Sequence, residues 1–471
     1  MSIQPTFLIT DLLFFALTIG LIAFVFVVRK RPHLSRPWSQ VLKSTTGSVS
    51  LMILLFYYAI ALVDSVHFHP RVAQATESQY QYSSEVHSLL DVLMTPMRSR
   101  MEKTFSAPLA THSFAKEMMQ NEAGQLQRDY PRLNYGGAHL AQPEDQKAAD
   151  IISISLQASA QALFYWALMW LFMLWLYSQR NNQGLATLLA NVLKAKTTYP
   201  LRAIAITSAV LMLLTVVSMQ LGQHYHLFGT DKVGQDVFYQ AVKSVRTGIL
   251  IGVLTTLITL PLAILLGALA GFFRGWVDDV IQYIYTTLNS IPHVLLIAAA
   301  VLLLQVYMSG HADDFDSLTE RADLRLLFLC LILGITSWTG LCRLLRAETF
   351  KLREMEYIQA AEAFGVSKFK ILMRHVMPNF MHIVIISVVL DFSGLVLAEA
   401  VLSYINIGVD PSMNSWGNMI NQARLEMARD PIVWWSLSAA FVFMFTLVLF
   451  ANLFADVVRD ALDPRVVRGE Q

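Results

Sequence analysis

Long apolar runs separated by short polar connections set the pattern of this chain. A helix that crosses a bilayer needs roughly 20 consecutive apolar residues. Nine stretches meet that requirement: 7–28, 47–66, 157–177, 201–221, 243–272, 280–307, 324–342, 380–405 and 431–458. The run 243–272 is longer than a span requires, which predicts tilt or a portion outside the lipid. One large polar insert, 67–156, interrupts the pattern. Helical stretches are expected there around Val86–Phe105 and Phe114–Gln127, with breaks at Tyr130-Pro131 and Gly136-Gly137. The pattern predicts an all-α, polytopic membrane protein of about nine transmembrane helices.

Charge adds an orientation. Basic residues collect in four connections: Arg29, Lys30, Arg31, Arg36 and Lys43; Arg180, Lys194 and Lys196; Arg343, Arg346, Lys351, Arg353, Lys368, Lys370 and Arg374; and Arg459, Arg465 and Arg468. Placing all four on the cytoplasmic side requires an outside N-terminus, nine crossings and an inside C-terminus. The insert 67–156 and the acidic loop with Asp313, Asp314 and Asp316 then lie outside. The first apolar run lacks a basic segment before it and a small-residue cleavage site after it, so a retained anchor is expected.

Of 471 residues, 55% are hydrophobic and 15% charged, with a formal net charge of +1. That balance points to no nucleic-acid partner. The two cysteines, Cys330 and Cys342, fall in one expected span, too far apart along it for a disulfide.

Candidate chemistry is sparse. Gly365-Val-Ser-Lys368 lacks the order that cradles a nucleotide phosphate, and neither a His-Glu-x-x-His nor a Gly-x-Ser-x-Gly motif occurs. No catalytic residue and no metal site is expected. The pairs His67/His69 and His224/His226, together with His293, are read as structural histidines. Inside the spans, Asp391 and Glu399 are costly to bury and mark a bundle face or an aqueous path. Asn289 and Pro292 interrupt the run 280–307, where freed backbone groups can line a cavity. These four are candidates for a translocation path.

The stretch Tyr357–Asn379 reads as a short helix, a break, a basic helix and a stop. Ala360, Ala361, Glu362, Ala363 and Phe364 favour helix, and Gly365 can take the left-handed conformation that ends one. Ser367 stands where a second helix would be capped, and Pro378 removes a donor where the next span begins. Gln359-Ala360-Ala361, then Gly365, then Pro378 at this spacing resemble the EAA loop of ABC importer permeases, with Gln359 where that family usually has Glu.

The resemblance extends over about 199–466. His226-Leu-Phe-Gly-Thr-Asp231 with Gly234 and Asp236, Arg246–Gly252, Gly271–Asp278, Ser290-Ile-Pro292, Leu397–Ser403, Ser415–Met419 and Arg459–Arg465 are similar to motifs of the C-type permease subunit of dipeptide/oligopeptide importers. Leu227, Gln235, Tyr283 and Thr286 depart from its usual residues. The resemblance implies a type I ABC importer permease core of about six helices at 199–471, preceded by a three-span extension at 1–198. It implies a coupling loop at 355–378 whose Gln359, Ala360, Ala361, Phe364, Gly365 and Pro378 seat against a cytoplasmic ATPase. It implies a homologous second permease subunit, two ATPase subunits, an extracytoplasmic solute-binding protein and a short-peptide substrate, all at the inner membrane. Cofactors are then none in this chain, with ATP and Mg in the ATPase partners. Nickel complexes or haem are related substrate possibilities. The rival reading is a secondary transporter driven by protons through Asp391 and Glu399.

Overall fold

The computed structural model describes residues 4–70, 82–83, 85–120, 126–181, 184–311 and 317–462. The acidic loop at Asp313, Asp314 and Asp316 lies outside these residues, as do Arg465 and Arg468. In chain order the helices are α1 (Ile9–Lys30), α2 (Pro32–Lys43), α3 (Thr45–Asp64), α4 (Leu89–Leu93), α5 (Thr95–Ser99), α6 (Pro143–Asn181), α7 (Leu185–Leu193), α8 (Leu201–Leu221) and α9 (Val237–Phe273). They continue as α10 (Trp276–Ser290), α11 (His293–Gly310), α12 (Leu318–Ser337), α13 (Thr339–Arg353), α14 (Glu356–Ala363), α15 (Lys368–Ile371), α16 (Met377–Tyr404), α17 (Trp416–Glu426) and α18 (Trp435–Leu462). Strands are minor: β1 (Gln4–Thr6), β2 (His67–His69) and β3 (His87–Ser88) form one small sheet, and β4 (Glu117–Gln120) pairs antiparallel with β5 (Leu126–Asp129).

Among the described residues, nine helical segments are long and apolar enough to cross a membrane. Each overlaps one of the nine expected runs, with three differences. The third extends back to Pro143 as a continuous helix of 39 residues. The run 280–307 is two helices, because Pro292 forces Ile291 out of the helical region, to φ −92 and ψ 130. Only its second part, α11, has membrane-crossing character. The run 324–342 is divided at Trp338, so Cys330 belongs to α12 and Cys342 to α13, both buried and free.

The insert corrects an expectation. The described residues of Phe114–Gln127 are not helical; they contribute β4 and the start of β5. Long-range ties override the local propensity. The His112–Arg132 bridge and the Ser113 N–H donating to Pro131 O at 2.8 Å bring the two flanks together, which sets β4 beside β5 in antiparallel register. In Val86–Phe105 the helix is confined to α4 and α5. Ser88 and Asp91 close a reciprocal capping box on α4.

The chain forms two compact units. The first holds residues 38–247 and 414–453, hence α3 to α8, the insert, the first part of α9, α17 and most of α18. The second holds 6–37 and 248–413, hence α1, the rest of α9 and α10 to α16. In the first unit, Trp416 Nε1–H donates to Ala241 O at 3.0 Å and Trp435 Nε1–H to Thr230 O at 2.9 Å, tying α17 and α18 to the start of α9. In the second unit, Asp323 of α12 accepts from the Thr10 backbone N–H at 3.1 Å and from its hydroxyl. Asp323 thereby supplies an anion to the α1 N-terminus, whose first N–H groups have no partner in their own helix.

Candidate functional site

The loop 355–378 stands on a packed base. In α9, Gly267 and Gly271 let α13 approach closely: a Cβ on Gly271 would lie 2.5 Å from Thr349 Cβ and 2.7 Å from Arg346 O. Arg274 and Gly275 then both adopt positive φ and turn the chain into α10. Arg346 of α13 grips Asp278 of α10 through Nε and Nη2, Nη2 to Oδ2 at 2.7 Å. Arg353 donates to Phe272 O at 2.8 Å, so the last turn of α13 is tied to the C-terminus of α9.

On this base sits α14, with Ile358 buried, Ala361 half-buried and the remaining side chains exposed. Ile358 is 1% exposed and packs in the core formed with Phe272, Leu345, Leu352, Ile371 and Val376. Gln359, Ala360, Glu362 and Ala363 are exposed, and Ala361 is half-buried. Phe364 is 88% exposed, an extreme value for an aromatic side chain. Gly365 has φ +75 and nothing within 4 Å of where a Cβ would stand. Its N–H donates to Glu362 O at 3.0 Å and the Val366 N–H to Ala361 O at 3.1 Å, the paired bonds of a Schellman stop. Val366 and Ala361 pack on the same core, the apolar contact that accompanies such a cap. Gln359 reaches back to Glu354 O at 3.3 Å.

Ser367 occupies the N-cap position of α15, but its side chain makes no cap bond. Pro378 does not stop a helix. It lies in the first turn of α16, immediately after a π-helical turn, Leu372–Val376. The wider turn loosens the backbone where a proline ring would otherwise meet the carbonyl four residues earlier. The loop therefore returns to its membrane helix through continuous helical backbone.

The four path candidates are not gathered into one cluster. Asn289 is exposed at the end of α10, its Oδ1 accepting from Thr339 Oγ1 at 3.0 Å. Pro292 is exposed as the N-cap residue of α11. On α16, Asp391 is exposed, whereas Glu399 is 2% exposed and accepts from Ser403 Oγ at 2.7 Å.

In the first unit, the motif beginning at His226 is clasped by the insert. The buried His226 ring lies between two carboxylates: Nδ1 is 2.8 Å from Asp236 Oδ2, and Nε2 faces Glu102 Oε1 at 3.6 Å. Burial opposes the imidazolium, but Asp236 and then Glu102 raise its pKa to about 9. Burial likewise opposes ionisation of Glu102, yet His226 and the backbone N–H groups of Tyr135, Asn134 and Gly136 hold it at about 2. Thr230 Oγ1 donates to Thr104 O at 2.8 Å, and Glu102 N–H donates to Gly234 O at 2.9 Å. Gly229 and Gly234 sit at positive φ against the insert backbone, where a Cβ would meet Ser106 O at 2.1 Å and Glu102 O at 1.8 Å. Beside this clasp, Lys243 pairs with Asp91 and lies 3.8 Å from Asp64 of α3, while Tyr239 OH donates to Asp91 at 2.6 Å. Glu102, Asp91 and Asp64 were invisible as partners in the sequence, where each is one more acid far from the basic group it meets.

The class of molecule is thus a mostly helical, multi-pass membrane protein with a preorganised, solvent-exposed helix between two membrane helices. Residues 263–468 match the family model for the binding-protein-dependent transport system inner membrane component. The chain is 30% identical over 244 residues to the dipeptide transport system permease protein DppC of Bacillus subtilis, covering 52% of this chain and 70% of that one. It is 33% identical over 239 residues to the oligopeptide transport system permease protein OppC of Mycobacterium tuberculosis, covering 51% of this chain and 76% of that one. A chain of the MetNI methionine ABC transporter in inward-facing conformations is similar over 48% of this chain and 97% of that one, at 14% identity and a TM-score of 0.37. The chain belongs to the family of binding-protein-dependent transport system inner membrane components.

Proposed function

We propose that this chain is one of two permease subunits of an ABC importer for short peptides. It would form half of the translocation path and pass the work of ATP hydrolysis into it through the loop 355–378. The supporting observation is the geometry of α14, in which a buried Ile358 fixes the helix and a capped end presents Phe364 to solvent. An aromatic side chain so exposed at the tip of a fixed, capped helix is suited to fill an apolar groove on an ATPase subunit. The peptide substrate is supported by relatives that are named dipeptide and oligopeptide permeases.

On this reading the basic connections face the cytoplasm, with the N-terminus and the insert outside. A solute-binding protein would deliver peptide to the outer face, and ATP with Mg would be bound by two ATPase subunits. Asp391, exposed on a membrane-length helix, would face the aqueous path or the second permease; Asn289 and Pro292 would lie along the same route. Glu399, buried against Ser403, serves the helix itself.

Removal of the gene followed by uptake of labelled di- to pentapeptides tests this reading. Uptake should be lost, be restored by the wild-type chain, and depend on ATP. Uptake that survives ATP depletion but collapses with a protonophore would replace it with proton-coupled transport.

A further inference from the structure

The first unit carries a cationic face that the transport reading does not use. Trp166 and Trp170 of α6 donate to Ser208 of α8 at 3.0 and 2.8 Å, and Gln161 of α6 meets Gln220 of α8, so the two helices run antiparallel. Ile60 and Val63 of α3 share an apolar cluster with Met219 of α8, so α3 and α8 run parallel. The start of α3, the end of α6 and the start of α8 therefore lie at one end of this bundle.

At that end stand Lys43, Arg180, Lys194, Lys196 and Arg202, all exposed. None of the five pairs with a carboxylate among the described residues. The sequence enforces this, since residues 12–63 and 151–230 contain no Asp or Glu. Insertion topology needs cations here, but does not need every anion to be absent.

Apolar groups are set among these charges. On α2 the helical spacing places Arg36, Gln40 and Lys43 on one face and Trp38, Val41 and Leu42 on the other. Leu193, at the end of α7, is 70% exposed and adjoins Lys194. Ala195 at φ +52 then reverses the chain before Lys196, and Tyr199 is 43% exposed just ahead of α8. Cations interleaved with exposed apolar and aromatic side chains, at the ends of membrane helices, match the border between headgroups and acyl chains.

We propose that this end of the α3–α6–α8 bundle is a binding surface for anionic phospholipid headgroups. The five cations hold lipid phosphates while Leu42, Leu193 and Tyr199 enter the acyl boundary. A soluble acidic partner could neutralise the charges but would leave those apolar groups in water. The inference is independent of which substrate the permease carries.

The test uses the full chain, with whatever subunits accompany it, in phosphatidylcholine nanodiscs containing about one fifth phosphatidylglycerol. Native mass spectrometry reads the lipids retained. Wild-type protein should retain phosphatidylglycerol in excess over its share. A variant with Lys43→Gln, Arg180→Gln, Lys194→Gln, Lys196→Gln and Arg202→Gln should lose most of that excess, about tenfold, with phosphatidylcholine unchanged. Both leaflets of the disc are alike, so inverted insertion does not affect the reading. If the variant does not fold, wild-type protein decides the matter, because the excess must collapse as salt rises from about 0.1 to 1 M. No excess in the wild type, an undiminished excess in the variant, or an excess indifferent to salt overturns the proposal.

Discussion

Phe364 and Ile358 lie six residues apart on one short helical segment, and the structure assigns them opposite energetics. Phe364 is 88% exposed, so Phe364→Ala removes almost nothing from the folded chain. If docking buries the ring, the same change removes about 1.5–3 kcal/mol of association free energy. That is a weakening of roughly 10- to 150-fold, at 1.4 kcal/mol per factor of ten. Ile358 is 1% exposed in the core beneath, so Ile358→Ala should cost about 2–5 kcal/mol of folding stability. Thermal unfolding of each variant in nanodiscs, and titration with purified ATPase subunit, separate the two effects. Phe364→Ala should bind weakly with an unchanged melting temperature; Ile358→Ala should melt earlier. Wild-type affinity in Phe364→Ala would refute the assignment of this residue as the seat of docking.

Three further outcomes are expected. Gly365→Val places a β-branched residue at φ +75 at a cost of about 1–3 kcal/mol in the loop alone; Gly365→Asn should be milder, and equal loss of substrate-stimulated ATP hydrolysis in both would contradict a backbone cause. The folded His226 pKa of about 9 exceeds the ordinary imidazole value of about 6.5, so its ion pairs stabilise fully below about pH 6.5 and are lost as pH rises through 9; the gap in melting temperature between wild type and His226→Gln should be wide near pH 6 and close above pH 9, and a constant gap would be evidence against the charge. Asp391→Asn should alter uptake rate or selectivity with little loss of assembly, and unchanged uptake across several peptides would remove Asp391 from the path.

What could be read from the residues follows the range of the forces involved. The spans were legible because a bilayer demands long apolar runs, and the stop at Gly365 because one residue determines whether φ can be positive. Pro378 announced an irregularity, but its accommodation by a π turn depends on the helix before it. The antiparallel pairing of β4 with β5 is not legible because the local residues favour helix, and the tie that favours it is the pairing of His112 with Arg132. Glu102, Asp91, Asp64 and Asp323 each find their partner across a long loop, and such pairing leaves no local pattern.

The clasp around His226 and Lys243 has a consequence for how this chain can be cut. The family resemblance invites a boundary near residue 198, as though the permease were a module with an optional preface. A chain begun there would expose Thr230 and Tyr239, strip Glu102 from His226, and leave Lys243 without Asp64 and Asp91. Gly229 and Gly234 would keep a contour shaped for a backbone no longer present. The extension and the core complete each other's buried polar pairs at this clasp. A chimera that borrows this core must bring residues 45–142 with it, and one that borrows the extension must also carry the loop from His226 to Lys243.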